Sequence, residues 1–339
     1  MPEQLYLLDV GHGSAAVLRG DDDTVVVDAG GKRAGLRQFL LKEGITHVDA
    51  LLLSHADADH IGGAVGLLAD PDIHVAEIRL NSDAKKDSSI WQDLRTAIQE
   101  AADAGALVVE IGLHTTMSKS YAAGGARIEV LAPLAADALG GPGQAPIEGG
   151  AVLNANSHSA VLRVVTDEGP VALLPGDVDV NGLDRLLARV GPDSLQAPVA
   201  VFPHHGGWPG RRISIPALET FTRVFCQAVQ ADHVVFSTGR GLHGTPIPDI
   251  VDEVRRQLGD VHIACTQLSE HCSRFPTGPS EQVLPLFAQG QPGGACCAGT
   301  MRIEVGDAQT FEPLGEHLEF VHSKVQTPLC MRALPMPPE

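Results

Sequence analysis

Residues 51–63, LLLSHADADHIGG, limit the fold of this chain more than any other stretch. An apolar run stops abruptly, and His55, Asp57, Asp59 and His60 follow within six residues. Leu51, Leu52 and Leu53 read as the end of a buried strand, and Ile61, Gly62 and Gly63 lead into the helix-like AVGLLAD. The four polar side chains therefore sit on a strand-to-helix loop, where open α/β sheets place their sites. Imidazole and carboxylate are both ligands for divalent metals, and alternation at 55, 57 and 59 aims several donors at one point while His60 turns to a second. This spacing predicts two ions, which at about 3.5–4 Å apart can share one hydroxide. A solvated acidic turn is the alternative, but such turns seldom follow a buried apolar strand with this density of donors.

The pattern His-x-Asp-x-Asp-His-x-Gly-Gly resembles the metallo-β-lactamase fold, whose commonest form is His-x-His-x-Asp-His. Asp57 departs from that form, and the Asp variant resembles the hydrolase domain of the DNA-uptake competence protein ComEC. Four further segments fit this branch in order. LYLLDVGHGSAAVLRGDDDTVVVDAGG resembles the family's opening hairpin, with His12 and Ser14 in place of Gln and Asp; the resemblance gives Asp28 a supporting hydrogen bond to the metal loop. In NANSHSAVLRVVTDEGPVALLPGDVD, Asp177 matches the bridging carboxylate, although an Asp there would also cap the helix that follows. Asn156 to Ser159 match the branch's Asn-x-x-Ser, with Asn156 beside the ligands and His158 as a further ligand or a side chain pointing away along the strand. VAVFPHHGGW resembles Pro-His-His-Gly, so that one of His204 and His205 binds metal and one donates a proton to the leaving group. In HVVFSTGRGLHGTPIPDIVDEVRRQL, His243 is the expected last ligand, with Gly244 and Thr245 inserted before Pro246. Arg240 is there either for an anionic substrate oxygen or as a solvated side chain.

The resemblance implies an αββα sandwich over residues 1–258, with a C-terminal β-rich extension over 259–339 that carries a Cys-rich segment and a disordered tail, LPMPPE. It implies a binuclear hydrolase that cleaves phosphodiester bonds through a metal-bridging hydroxide. The ligands would be His55, Asp57, Asp59, His60, Asp177 and His243, joined by His158 or His205; Asp59, His204 and His205 would be catalytic. With Asp57 in the set the donors are rich in oxygen, so the two divalent ions are Zn2+ or Mn2+. The substrate is a small molecule or a nucleic acid. An ester, thioester or lactone hydrolase and a non-catalytic metal sensor or scaffold are the rival readings.

The remaining sequence bounds these expectations. At 339 residues with 44% hydrophobic content, the chain is long enough for one large domain with additions. No apolar run approaches the ~18–20 residues that span a bilayer, and MPEQLYLLDVGHG lacks a basic start, so we expect a cytoplasmic protein without membrane contact. The formal charge of −18, from 24 basic and 42 acidic residues, is opposite to that of a protein gripping duplex DNA along its backbone. Six cysteines are present; Cys265, Cys272, Cys296 and Cys297 are either a structural zinc site or reduced thiols packed together. A helix is expected over 89–104, strands at VHIACTQL, TMRIEV and HLEFVHS, and a mobile flap at AADALGGPGQAPIEGGAVLNAN.

Overall fold

The apolar run at 51–53 is buried on every residue because its strand, Ala50–Leu53, is covered on both faces. Leu52 faces a second sheet, while Leu51 and Leu53 face helices. The computed structural model describes residues 3–31, 35–273, 286–306 and 310–334. Among these, eight strands form a first sheet in the order Phe311–Glu312, Met301–Glu304, Gln4–Leu7, Ala16–Arg19, Thr24–Val27, Ala50–Leu53, Glu77–Leu80, Val108–Ile111. Pairing is antiparallel as far as Thr24–Val27 and parallel beyond it. The second sheet repeats the plan: Tyr121–Ala123, Ala126–Ala132, Val161–Thr166 and Gly169–Leu174 are antiparallel, and Val199–Val201, His233–Phe236 and His262–Cys265 continue in parallel.

The sheets pack face to face through Leu5, Leu7, Leu18 and Val27 against Leu162, Val164, Leu174 and Val235. Helices Gly35–Lys42, Ala58–Leu68 and Ser89–Asp103 cover the first sheet, with Phe39, Ile61 and Trp91 in that layer. Helices Val180–Val190, Ile215–Val229 and Pro248–Leu258 cover the second, with Leu183, Phe225 and Val254. This is the expected αββα sandwich, and it brings the carboxyl ends of the parallel strands of both sheets to one edge.

The residues after 258 are built into this sandwich. His262–Cys265 closes the second sheet, and Met301–Glu304 pairs with Gln4–Leu7 in the first, with Met301 and Ile303 in the layer between the sheets. Buried Asp9 ties this region to the start of the chain, accepting from Gln267 Nε2 at 2.9 Å and from the amide of Gly290 at 2.9 Å. HLEFVHS, expected as a strand, lies in a helix, Leu314–Lys324. Its buried residues His317, Phe320 and Val321 follow the helical period, which outweighs the strand preference of Phe320 and Val321. The flap segment opens with a short helix, Ala135–Gly140, and residues 335–339 of the tail lie outside the described residues.

The cysteines group differently from the expected set. Cys272 and Cys297 lie in the core beneath the helices of the second sheet, with Cys265 and Cys330 packed against it. Cys296 instead approaches Asp9 Oδ2, at 3.6 Å. None of the six is in a disulfide. Burial pushes the Cys226 thiol up to about 12 and that of Cys330 to about 11. Cys297 Sγ lies 3.2 Å from His317 Nε2, the end of a buried chain that runs through His262 to His233.

Candidate metal centre

The side chains that meet at the centre mostly sit just past the carboxyl ends of strands. Asp28 follows Thr24–Val27; His55, Asp57, Asp59 and His60 follow Ala50–Leu53; Asp177 follows Gly169–Leu174; and His204 and His205 follow Val199–Val201. Phe202 anchors that last strand among Phe221, Phe225 and Phe236, at ring-centroid distances of 6.4, 5.2 and 5.2 Å. Both His204 and His205 then adopt left-handed backbone, with φ of 53° and 56°. Gly63 lets the helix Ala58–Leu68 close on the neighbouring loop, since a Cβ there would stand 2.0 Å from the Ala29 carbonyl oxygen. A Cβ at Gly176 would stand 2.3 Å from Ser159 Oγ.

One ligand atom each from Asp59, His60, Asp177 and His205 fall within 4.8 Å of one another. Asp177 Oδ1 lies 3.1 Å from His60 Nε2 and 3.6 Å from His205 Nε2, which is itself 3.2 Å from Asp59 Oδ2. The other oxygen of Asp177 faces a second group. Oδ2 is 4.0 Å from His55 Nε2 and 3.2 Å from His204 Nδ1, and His55 Nε2 is 3.8 Å from Asp57 Oδ2. The helix cap assigned above as the alternative role of Asp177 belongs to Asp179, whose Oδ1 accepts from the amide of Gly182 at 2.9 Å.

Hydrogen bonds behind the donors fix their orientation. Asp28, itself at φ 58°, accepts from the amide of Ser54 at 2.8 Å, from Ser54 Oγ at 2.9 Å and from His60 Nδ1 at 2.7 Å. That last bond keeps a proton on Nδ1 and points Nε2 at Asp177, so that Nε2 is the nitrogen offered to a metal. His55 Nδ1 is held by Ser54 Oγ at 3.0 Å and lies 3.4 Å from Ser159 Oγ. Asn156 Nδ2 reaches His204 Nε2 at 3.1 Å.

The electrostatics interlock. Burial works to raise the Asp177 carboxyl, but His60, His205 and His204 outweigh it and hold it well below the usual range. Burial likewise opposes protonation of His60, but Asp177 and Asp28 lift it well above its ordinary value, and Asp177 with Asp59 lifts His205. His55 has no such surplus of negative charge, and burial, aided by His60, depresses it to about 4. His55 Nε2 and His205 Nε2 are buried with no hydrogen-bond partner, one toward each oxygen of Asp177. Each such orphan costs ~1–3 kcal/mol, and a divalent cation satisfies both imidazole and carboxylate. The donor set fits the expected metals.

The other candidates fall outside these two groups. His158 Nε2 bonds the Asp137 carbonyl at 2.9 Å. The exposed His243 ring packs on His12, at 4.5 Å, and His12 in turn on His205, at 4.6 Å. Arg240 is exposed, but its guanidinium is tied to the backbone: Nη1 donates to the carbonyls of Leu268 and Ser269 at 3.1 and 2.8 Å. Sequence reasoning missed Ser54 and Lys86. The Lys86 ammonium pairs with the Asp57 carboxylate.

An αββα sandwich with imidazoles and carboxylates gathered at one edge is the scaffold of a metal-dependent hydrolase. Residues 8–215 match the model of the metallo-beta-lactamase superfamily, and the chain belongs to that family. Competence protein ComA of Neisseria gonorrhoeae is 24% identical over 236 residues, 68% of this chain, in keeping with the ComEC-type branch that Asp57 indicates. The chain spans only 26% of the length of ComA. Among solved structures it is similar to YhfI from Bacillus subtilis (TM-score 0.45, 14% identity, covering 77% of this chain and 96% of that one). It is also similar to the short form of human tRNase Z (TM-score 0.39, 16% identity, covering 70% and 92%). Among the described residues, no helix is long and apolar enough to cross a membrane.

Proposed function

We propose that this chain is a two-metal hydrolase of phosphodiester bonds. The observation that carries the reading is the two-sided environment of Asp177, with one orphaned imidazole nitrogen toward each of its oxygens. Asp59, His60, His205 and Asp177 Oδ1 would hold one ion; His55, Asp57 and Asp177 Oδ2 would hold the other. Three protein donors on the second side suit an ion that keeps a position for water or substrate. The cations, Zn2+ or Mn2+, would supply Lewis acidity and acidify water at neutral pH.

The chain's own groups do the rest. Asp28 fixes the His60 tautomer, and Ser54 orients His55. Asp177 Oδ2 faces His204 Nδ1, and Nε2, beside Asn156, would be the atom that takes up a proton and passes it to the leaving oxygen. The ComEC-type resemblance and the Lys86 ammonium beside Asp57 support a phosphodiester over a neutral ester. The net charge of −18 favours the second reading, a small ester, thioester or lactone.

The test is hydrolysis of bis(p-nitrophenyl) phosphate and of p-nitrophenyl acetate by protein loaded with manganese or zinc, with metal content measured on the same samples. Two ions per chain and turnover of the diester are expected. Two ions with turnover of the acetate alone would transfer the assignment to the second reading, and fewer than about one ion per chain would overturn both.

A further inference from the structure

Beside the candidate metal centre lies a groove of about 1160 Å³, somewhat larger than the ~300–1,000 Å³ typical of pockets that hold small organic ligands. Its floor is apolar: Leu183 from the helix Val180–Val190 and Phe221 and Val224 from Ile215–Val229. Lys85, Lys86 and Arg211 also line it. The groove reaches the metal centre at Lys86, whose ammonium pairs with Asp57, and at Asp179, two residues past Asp177.

The acids at the groove are mostly engaged elsewhere. Asp179 accepts from Asn154 Nδ2 at 2.9 Å, Ser157 Oγ at 2.8 Å and the amide of Gly182. Asp83 accepts from the amides of Lys85 and Lys86, both at 3.1 Å. Asp184 is the acid exposed on the wall. In a chain of net charge −18, Lys85, Lys86 and Arg211 offset the Asp83, Asp179 and Asp184 carboxylates of the lining, so that this groove, over its apolar floor, is a place where an apolar body with an anionic oxygen meets cations.

We propose that this groove seats the group flanking the scissile bond, and that this group joins an anionic oxygen to an apolar or aromatic body, as in a small nucleotide or aryl phosphodiester. The inference rests on the phosphodiester reading above and adds the substrate class. The flanking body lies on Phe221 and Val224, its anionic oxygen is met by Arg211 and Lys86, and the scissile bond falls at the Asp57 end. Lys85 Nζ donates to the Gly143 carbonyl at 3.1 Å and so ties the 142–155 loop across the groove.

The test compares two diesters that share a leaving group, the p-nitrophenyl ester of thymidine 5′-monophosphate and methyl p-nitrophenyl phosphate, on the manganese-loaded full chain. The thymidine ester is expected to have kcat/KM about tenfold higher or more, equivalent to ~1.4 kcal/mol of flanking-group binding. Ala217→Trp, on the exposed wall, and Arg211→Ala should each bring the ratio toward one, chiefly through KM. A wild-type ratio near one, or a ratio that neither variant moves, overturns the proposal. If neither diester is hydrolysed, the phosphodiester reading fails by itself, and calorimetry with thymidine 5′-monophosphate decides the groove. Saturable binding that weakens about tenfold in Ala217→Trp upholds it, and absence of binding to the wild type overturns it.

Discussion

Asp28→Asn isolates the proton that sets the metal centre. Asp28 accepts three hydrogen bonds, two from Ser54 and one from His60 Nδ1, and is not itself one of the grouped donors. Asparagine is among the residues that tolerate its left-handed backbone, so the substitution changes charge and proton pattern with little backbone cost. The amide has one acceptor in place of two. If its oxygen keeps the Ser54 amide, its NH2 faces His60 Nδ1, which must then become the acceptor and place the imidazole proton on Nε2. That is the atom turned toward Asp177. Metal binding would have to reverse this tautomer, and losses of this kind cost 10–100-fold in affinity, about 1.4–2.8 kcal/mol. The assay is zinc titration against a chromophoric chelator, with circular dichroism to establish that the variant is folded. A folded Asp28→Asn protein that binds zinc within about twofold of wild type would refute the tautomer argument.

Three other outcomes follow from the same geometry. His205→Ala should lose about one ion per chain while His158→Gln, whose nitrogen bonds the Asp137 carbonyl, keeps the wild-type content; His243→Ala should lose less than His205→Ala, as read by elemental analysis. Asp57→His removes an oxygen donor and the partner of Lys86, so the ratio of manganese- to zinc-supported activity should fall, and a ratio that holds or rises counts against Asp57 as a donor. In metal-free protein, burial depresses His317 to about 4 and His262 to about 3. The unfolded chain, at ~6.5, then binds more protons below that value, and stability falls as the pH drops from about 6.5 toward 4. His60 and His205, raised in the fold, act oppositely, keeping their contribution below ~6.5 and losing it as pH rises through their folded values. Because the depressed pair is buried away from the carboxylates, replacing His262 with Gln should flatten the acid side of a urea-midpoint profile, and an unchanged slope would sink the assignment.

What the sequence made legible was whatever local spacing encodes. The apolar run before His55 announces a strand buried on both faces, and Asp57 marks the branch within the family. Asp28 and Asp177 were legible through strand ends and resemblance, and the structure sets both beside His60. Long-range pairings leave no such trace. Ser159 is an ordinary hydroxyl in the sequence and becomes an orienting group because the fold brings it to His55 from 104 positions away, while Ser54, the neighbour of His55, is itself set by Asp28 from 26 positions upstream. Lys86 meets Asp57 across 29 positions and a helix boundary. His158 and Arg240 carry plausible chemistry for a site, yet backbone carbonyls that only the fold supplies have taken both.

The two histidines of Pro-His-His-Gly show why residue type could not assign their roles. Neighbours on a strand would point to opposite faces, which would put only one of them at the centre. Left-handed backbone at both positions turns the chain instead, with Gly206 at φ 77° continuing the turn. His205 reaches the Asp59 side of Asp177 and His204 the other oxygen of the same carboxylate. On the proposed reading, a single acid would separate the histidine that completes a donor group from the histidine that is left to move a proton. Left-handed φ is costly for any side chain with a Cβ, and the turn is held where Phe202 locks into its aromatic cluster on one side and Gly206 presses against Phe236 and Pro246 on the other. The chemistry of the pair is therefore set by the packing on either side of it, and that packing is assembled from strands and helices that only meet in the folded chain.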